Sequence, residues 1–287
     1  MDLPALIEVG QLRAALGQPQ LRLFDATVRL PRPAGGGPYT IVSGRDTYEQ
    51  SHIPGAAFAD IPGELSDPES PYPFTLPSPE RFAAAAGALG IGPGDHVVAY
   101  AQEGPMWATR LWWLLRYFGF DSVSVLDGGL RAWRDAGFPL ETGARSYDPA
   151  AFTAAPRPER VVDKLRVMEI VNDPDAPACL INALAPAVFR GEGVSSYSRA
   201  GRIPGSVNTP HTDLVDPDTG RFRPIPELRE ILAPLLRRPE LIAYCGAGIS
   251  ATVPLFSLFL CGRDDVALYD GSLTEWTADP DLPVELG

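Results

Sequence analysis

The sequence has few of the residues that support metal binding, disulfide formation or nucleic-acid binding. Its 287 residues include three cysteines and three histidines, and 24 basic residues stand against 36 acidic ones. Three cysteines cannot form a disulfide framework, and neither cysteines nor histidines have the spacing of a metal site. A net charge of −12 repels polyanions. We therefore expect reduced thiols, no metal and no nucleic-acid partner.

Long apolar runs are also missing. No 18 apolar residues run together, and the N-terminal stretch has neither the cationic region nor the apolar core of a secretory signal. These absences predict a soluble cytoplasmic protein with no membrane partner. The chain instead has 45% apolar residues, 31 prolines and 28 glycines, which is typical of a globular protein with many tight connections.

The two halves of the chain resemble each other. SHIPGAAF, HVVAYAQEG and VLDGGLRAW occur in the first half, and GRIPGSVN, ELIAYCGAG and LYDGSLTEW occur in the same order in the second. Trp133 and Trp276 are 143 positions apart, and Ala101 and Cys245 are 144 apart. Shared core patterning does not explain the recurrence of acidic, glycine and tryptophan positions. The sequence therefore predicts a duplicated fold.

Each half alternates short apolar runs with helical patterns. Runs such as HVVAYA and ELIAYC are typical of strands, whereas SPERFAAAAGALG, MWATRLWWLLRYFG and PIPELREILAPLLRR are typical of helices. This alternation predicts an α/β protein with two mainly parallel sheets flanked by helices. We expect a first domain at 1–142, a linker at 143–160 and a second domain at 161–287.

Cys245 is the candidate nucleophile. It follows the run ELIAY at the predicted carboxyl end of a strand, where parallel sheets bind ligands. In the small, glycine-rich loop that follows, consecutive backbone N–H groups can surround an anion. The predicted anion-binding loop consists of Gly246, Ala247, Gly248, Ile249 and Ser250.

We expect an accessible Cys245 thiol whose thiolate is stabilised by this loop and by the N-terminus of the next helix, with Ser250 near the N-cap. The first half has Ala101 at the matching position, so only the second half can use a thiol. The alternative is that Cys245 is a small buried residue, the role we expect for Cys179 and Cys261.

HIPGA, RIPGS, LDGGLRAW, YDGSLTEW and CGAGISA together resemble tandem-domain sulfurtransferases of the rhodanese and 3-mercaptopyruvate sulfurtransferase family. The resemblance spans nearly the whole chain. It implies two rhodanese-like domains, the first catalytically silent, and a Cys245 that cycles through a persulfide. It also implies a small-molecule sulfur donor, an acceptor such as a thiol, thioredoxin or cyanide, and no cofactor.

The loop indicates the class of donor. Family members that prefer thiosulfate carry cations beside the cysteine, whereas CGAGIS has none and is similar to the CGSGVT loop of mercaptopyruvate enzymes. The resemblance therefore implies 3-mercaptopyruvate as the donor, with thiosulfate as the alternative.

One departure from the family concerns proton transfer. The serine of the family's proton relay is replaced by Ala247, although the relay's Asp and His have matches in Asp46 and His52. Ser250 or water is the substitute we consider for the missing hydroxyl. Ordering of its own loop is the alternative role for His52.

A second departure concerns binding of the donor's carboxylate. The family's arginine for this task corresponds to Val188, and its Asp-Ala-Arg strand end reads Asn-Ala-Leu up to Leu184. Three other arginines are candidates for donor binding: Arg190, Arg199 and Arg202. A surface position is the alternative for Arg202, which replaces the histidine of the second HIPG motif.

Two other functions compete with sulfur transfer. A thiol phosphatase or arsenate reductase needs an arginine that closes the cysteine loop, but the position six residues after Cys245 is Ala251, which argues against this function. A rhodanese-fold binding or regulatory protein with little catalysis is the other alternative, motivated by Leu184, Val188 and Ala247.

Overall fold

The computed structural model describes residues 3–34 and 37–287. Met1 and Asp2, at the start of the predicted first domain, lie outside the described residues, as do Gly35 and Gly36 within that domain. Strands and helices alternate along the described parts of the chain.

The first half carries the following strands and helices: β1 (Leu6–Ile7), α1 (Val9–Ala15), β2 (Leu21–Asp25), β3 (Val28–Arg29), β4 (Val42–Ser43), α2 (Arg45–Gln50), β5 (Ala57–Phe58), α3 (Pro79–Ala88), β6 (His96–Tyr100), α4 (Met106–Tyr117), β7 (Val123–Leu126) and α5 (Gly129–Asp135). The second half carries β8 (Val161–Val162), α6 (Lys164–Asn172), β9 (Ala178–Asn182), α7 (Pro186–Phe189), β10 (Val207–Asn208), α8 (Ile225–Ile231), α9 (Ala233–Leu236), β11 (Glu240–Tyr244), α10 (Thr252–Leu260), β12 (Val266–Tyr269) and α11 (Ser272–Ala278). Short 3-10 helices cover Pro158–Arg160 and His211–Leu214.

The two main sheets have the same strand order. The first runs β1-β7-β6-β2-β5 and the second β8-β12-β11-β9-β10, and all neighbouring strands are parallel. Strands β3 and β4 form a separate antiparallel pair. The predicted α/β fold with two parallel sheets is therefore confirmed. The longest of the described helices, α4, has 12 residues, so none of them is long enough to cross a membrane.

The repeat extends to individual hydrogen bonds. The indole Nε1 of Trp133 donates to the carbonyl of Pro139 at 2.8 Å, and that of Trp276 donates to the carbonyl of Pro283 at 2.7 Å. Both tryptophans are fully buried. They anchor the chain after the last helix of each half in the same way.

Two segments show how local sequence shapes the fold. The predicted helix PIPELREILAPLLRR is divided at Leu232 into α8 and α9, because Pro234 has no N–H to continue the helical hydrogen bonds. Residues 144–157 contain neither helix nor strand. They run along the first half, where the N–H of Ala150 donates to Gly87 and that of Ala155 donates to Phe118.

The halves share an apolar core in which α4 packs against α10. The rings of Trp112 and Phe256 meet edge to face at 4.9 Å. The hydroxyls of Thr109 and Thr252, equivalent residues of the repeat, lie 2.7 Å apart. Equivalent residues of the two halves therefore meet at this interface.

Candidate active site

Cys245 directly follows β11, the central strand of the second sheet. Its side chain is not accessible as the sequence predicts, because only 2% of the residue is exposed. Side chains from other loops pack over the strand end: a Cβ added to Gly246 would overlap the hydroxyl of Tyr197. The sulfur therefore lies beneath the surface of the protein.

The loop after Cys245 is held by Ser272, the first residue of α11. The Ser272 hydroxyl oxygen accepts hydrogen bonds from the N–H groups of Cys245, at 3.1 Å, and Gly248, at 3.2 Å. The same hydroxyl donates a hydrogen bond to the carbonyl of Tyr269. Ser272 has a φ of 52°, which is unusual for a residue with a side chain. Such strain is characteristic of functional sites.

The predicted anion-binding loop needs one correction. Gly248 supplies no free N–H, because that donor is bound to Ser272. Its role is conformational: its φ is +71°, and a Cβ there would overlap the carboxylate of Asp270. Within the part of the chain that the structure describes, no acceptor binds the four remaining N–H groups of the loop, which belong to Gly246, Ala247, Ile249 and Ser250.

These four groups are free donors, but in the structure none of the described N–H groups donates to the sulfur of Cys245. Ser250 lies near the N-cap as predicted, one residue before Ala251, which caps α10 at Thr252. A tight turn, closed by the N–H of Thr252 on the carbonyl of Ile249, precedes the helix.

Arg110 of α4 supports the loop from the other half of the molecule. Its buried guanidinium donates to the carbonyl of Gly248 at 3.1 Å, to Asp270 at 2.6 Å and to the carbonyl of Phe74 at 2.6 Å. These bonds fix the backbone of the loop against both domains. The sequence did not reveal this role, because Arg110 lies in an apolar helix far from Cys245 along the chain.

Tyr39 and Tyr197 complete the surroundings of Cys245. Burial, and then the negative charge of a Cys245 thiolate, raise the pKa of the Tyr39 hydroxyl and hold that of Tyr197 well above its usual range. Both tyrosines therefore stay protonated at neutral pH. Neither hydroxyl has a hydrogen-bond partner among the described residues, so both can donate to a bound substrate. No motif marks either tyrosine in the sequence.

Asp46 and His52 are not joined to Cys245. His52 is buried, its Nδ1 lies 2.8 Å from the carbonyl of Tyr48, and its backbone pairs with that of Glu141. Asp46 is exposed in the first turn of α2. Contacts among the described residues thus give His52 the alternative role, ordering its own loop, and show no path for a proton relay.

The three predicted donor-binding arginines have other partners. Arg190 is exposed and paired with Glu192. Arg199 donates to four backbone carbonyls of the C-terminal segment between Trp276 and Leu282. Arg202 is buried, not on the surface, and binds Glu285 and the carbonyl of Gly287. The structure directs Arg199 and Arg202 to the C-terminal segment and gives neither a contact with the cysteine loop.

The matching strand end of the first half carries Ala101, as the sequence indicates. A cavity of about 360 Å³ lies beside it and is lined by Gln102, Glu103 and Arg131. This strand end has no thiol, and Gly129 replaces Ser272. The hydroxyl that accepts a backbone N–H here belongs to Thr27, which binds the N–H of Gln102 at 2.9 Å.

Comparisons with known proteins match both halves. A family model described as Rhodanese-like domain matches residues 8–136 and 188–279. Human 3-mercaptopyruvate sulfurtransferase is 38% identical over 270 residues, which cover 91% of this chain and 86% of the human protein. Rat thiosulfate sulfurtransferase is 35% identical over 286 residues, covering 96% and 92%. The crystal structure of SseA, a 3-mercaptopyruvate sulfotransferase from Escherichia coli, matches with a TM-score of 0.79 at 34% identity, covering 93% of this chain and 98% of that chain.

Proposed function

Because this chain belongs to the rhodanese and 3-mercaptopyruvate sulfurtransferase family and is a sulfurtransferase, we propose that Cys245 carries the transferred sulfur as a persulfide, with 3-mercaptopyruvate as the donor. The observation that carries the proposal is the position of Cys245. It follows the central strand of the second sheet, beside four N–H groups and two tyrosine hydroxyls that have no partner among the described residues. Cys179 lies within β9 and Cys261 at the end of α10, and burial raises the pKa of each thiol.

In the first half-reaction the Cys245 thiolate attacks the sulfur of 3-mercaptopyruvate. A sulfur–sulfur bond forms, the carbon–sulfur bond breaks, and its electron pair moves onto the carbon and adjacent carbonyl as an enolate. The enolate takes up a proton and becomes pyruvate, so the thiol and 3-mercaptopyruvate yield the persulfide and pyruvate. The hydroxyls of Tyr39 and Tyr197 and the free loop N–H groups are the donors for the enolate oxygen.

In the second half-reaction an acceptor attacks the outer sulfur. The sulfur–sulfur bond breaks and its electron pair returns to Cys245. Cyanide becomes thiocyanate, and a thiol, either small or on thioredoxin, becomes a persulfide. The outer sulfur carries no carbon substituent, so it leaves with the acceptor and the free cysteine is restored.

The absence of positive charge in the loop favours mercaptopyruvate over thiosulfate as the donor. Residues 246–251 carry no cation, and a dianionic donor has two charges to balance. Uncharged hydroxyl and N–H donors suit a carbonyl oxygen on which negative charge develops during the reaction. The cytoplasm is the proposed site of the reaction, which localisation of the tagged full chain would test.

Mass spectrometry of the intact protein tests the persulfide directly. After treatment with 3-mercaptopyruvate and no acceptor, the wild type should gain the mass of one sulfur atom, which cyanide should remove as thiocyanate. Cys245→Ser should gain nothing and lose turnover by roughly 1,000-fold or more. Cys261→Ala is the matched control and should behave as the wild type.

The outcomes separate the candidate functions. Greater catalytic efficiency with thiosulfate than with 3-mercaptopyruvate would overturn the donor assignment and leave the persulfide in place. No added sulfur with any donor would overturn the whole proposal and favour a binding or regulatory role.

A further inference from the structure

The proposed donor carries a carboxylate, and the arginines predicted to bind it are engaged elsewhere. Arg190 is paired with Glu192, while Arg199 and Arg202 bind the C-terminal segment. Val188 stands where the family resemblance places an arginine. A carboxylate buried without a cation or hydrogen bonds is costly, so another group has to meet it.

A small cavity next to the site offers space for such a group. It measures about 40 Å³ and is lined by Val188, Ser195 and Tyr197 of the second half together with Arg32 of the first. One water needs roughly 10–15 Å³ of cavity volume, so the cavity fits about three non-hydrogen atoms. That is the size of a carboxylate group.

Arg32 is the unengaged cation at this cavity. Its side chain is exposed and has no hydrogen-bond or ion-pair partner among the described residues. Glu192 also lines the cavity, but Arg190 balances its charge. Contact between the halves continues beside it, where the Ser196 hydroxyl donates to the carbonyl of Gly37 at 3.1 Å.

Tyr197 relates the cavity to the cysteine loop: it lines the cavity with Arg32, and its hydroxyl is the atom that a Cβ on Gly246 would overlap. The positive charge of Arg32 opposes the rise in the pKa of both Tyr39 and Tyr197, and both hydroxyls interact with Cys245. The Arg32 guanidinium therefore belongs to a cavity that shares Tyr197 with the cysteine loop.

We propose that Arg32, from the half without a catalytic cysteine, binds the carboxylate of the sulfur donor in the cavity beside Tyr197. The planar guanidinium can form two parallel hydrogen bonds to a carboxylate. The donor's sulfur then faces Cys245, and its carbonyl faces the tyrosine hydroxyls. The proposal rests on the proposed function, because it assigns a residue to the donor of that reaction.

Two donors that differ only in the carboxylate test it. 3-Mercaptopyruvate has the carboxylate, and mercaptoacetone keeps the thiol and carbonyl but has a methyl group in its place. In Arg32→Gln, the KM for 3-mercaptopyruvate should rise about 10- to 100-fold with little change in kcat, because a charge-assisted hydrogen bond is lost from binding. The KM for mercaptoacetone should stay at the wild-type value.

Arg32→Lys keeps the charge but loses the planar fork, so its KM for 3-mercaptopyruvate should lie between those of the wild type and Arg32→Gln. Arg131→Gln is the matched control: it removes one positive charge from an exposed arginine of the same half, whose ion pair among the described residues is with Asp135 at 3.8 Å. This control should leave both KM values unchanged.

Equal KM increases for both donors in Arg32→Gln, or no increase beyond that of Arg131→Gln, would overturn the assignment of Arg32. Thermal unfolding of Arg32→Gln should match the wild type, because the side chain is exposed and unpaired. Persulfide on the wild type together with either contrary KM result refutes only the role of Arg32. Absence of persulfide from the wild type with every donor refutes the proposed function and this inference together.

Discussion

The two halves share one fold but differ at the end of the same strand. Strand β6 leads to Ala101, and β11 leads to Cys245. Across each strand end lies the start of a helix, with Gly129 in the first half and Ser272 in the second. Leu130 and Leu273 donate to the carbonyls of Ala101 and Cys245 in the same way. Duplication thus preserved the scaffold, while chemistry depends on a few side chains.

The contact between the halves also contains a repeated feature that differs in detail: an aspartate at the start of each DGxLxxW string binds the opposite half. Asp127 accepts the N–H of Phe222 at 2.8 Å, and Asp270 accepts that of Leu76 at 2.7 Å, so each turn binds the opposite half. The cations differ: Asp270 pairs with the fully buried Arg110, whereas Asp127 pairs with Arg221, which is 34% exposed. Only the buried pair touches the cysteine loop.

Removal of these two arginines should give the largest contrast in stability. Arg110→Ala leaves the buried carboxylate of Asp270 without its cation and should lower the free energy of unfolding by about 3–5 kcal/mol. Arg221→Ala removes a cation that is 34% exposed, lies 3.3 Å from Asp127 and also pairs with the exposed Glu8, so its loss should cost about 1 kcal/mol or less. Urea unfolding of both variants measures the difference. Equal losses would mean that burial does not distinguish the two sides of the interface.

Replacement of Ser272, the first residue of α11, by the glycine of the first half should affect activity more than stability. Ser272→Gly gives the second half the residue of the first and removes the acceptor for the N–H groups of Cys245 and Gly248. We expect kcat/KM for 3-mercaptopyruvate to fall about 10- to 100-fold, because the loop is less well positioned. Steady-state kinetics measures the fall.

Thr277→Ala is the control for this variant. It removes a buried hydroxyl one turn further along α11, where Thr277 donates to the carbonyl of Leu273 and does not contact the loop. Its kcat/KM should remain near the wild-type value. A similar decrease in both variants would indicate that loss of any hydroxyl in α11 disturbs the site.

The residues that end β2 and β9 should give the smallest difference between the halves, a difference in how stability depends on pH. Asp25 and Asn182 are fully buried and equivalent: each accepts the N–H two residues further on, from Thr27 and Leu184. Burial raises the pKa of Asp25 above 3.8, so the folded protein keeps this proton to higher pH than the unfolded chain. The contribution of Asp25 to stability therefore falls as pH rises from about 3.8 through the folded pKa.

Asp25→Asn should remove this dependence. The free energy of unfolding of the wild type, relative to the variant, should decrease by up to about 1.4 kcal/mol per pH unit within that window. Urea unfolding between pH 4 and pH 8 measures it. Asn182→Asp should introduce the same trend in the second half, and a difference independent of pH in both variants would contradict the interpretation.

Much of the fold follows from the sequence because its signals are local. Alternating strands and helices and the recurring DGxLxxW string predict two parallel sheets, and Pro234 explains the one long helix that is divided. The position of Cys245 at a strand end follows from the same pattern. Such signals need only neighbours along the chain.

The surroundings of Cys245 are much harder to predict from the sequence, because they come from distant segments of the chain. Arg32, Tyr39 and Arg110 belong to the other half, and Tyr197 lies in a loop with no periodic pattern. Packing of the two halves brings them together, and spacing along one chain does not encode that packing. Sequence position points to arginines near Val188, and the fold uses two of these, Arg199 and Arg202, to hold its C-terminal segment.

The burial of Cys245 affects its chemistry with oxidants. A thiol is converted to sulfenic acid only where peroxide can touch its sulfur, and this residue is 2% exposed. Between the two half-reactions, the same shielding would protect the outer sulfur from oxidation or stray thiols until a fitting acceptor enters.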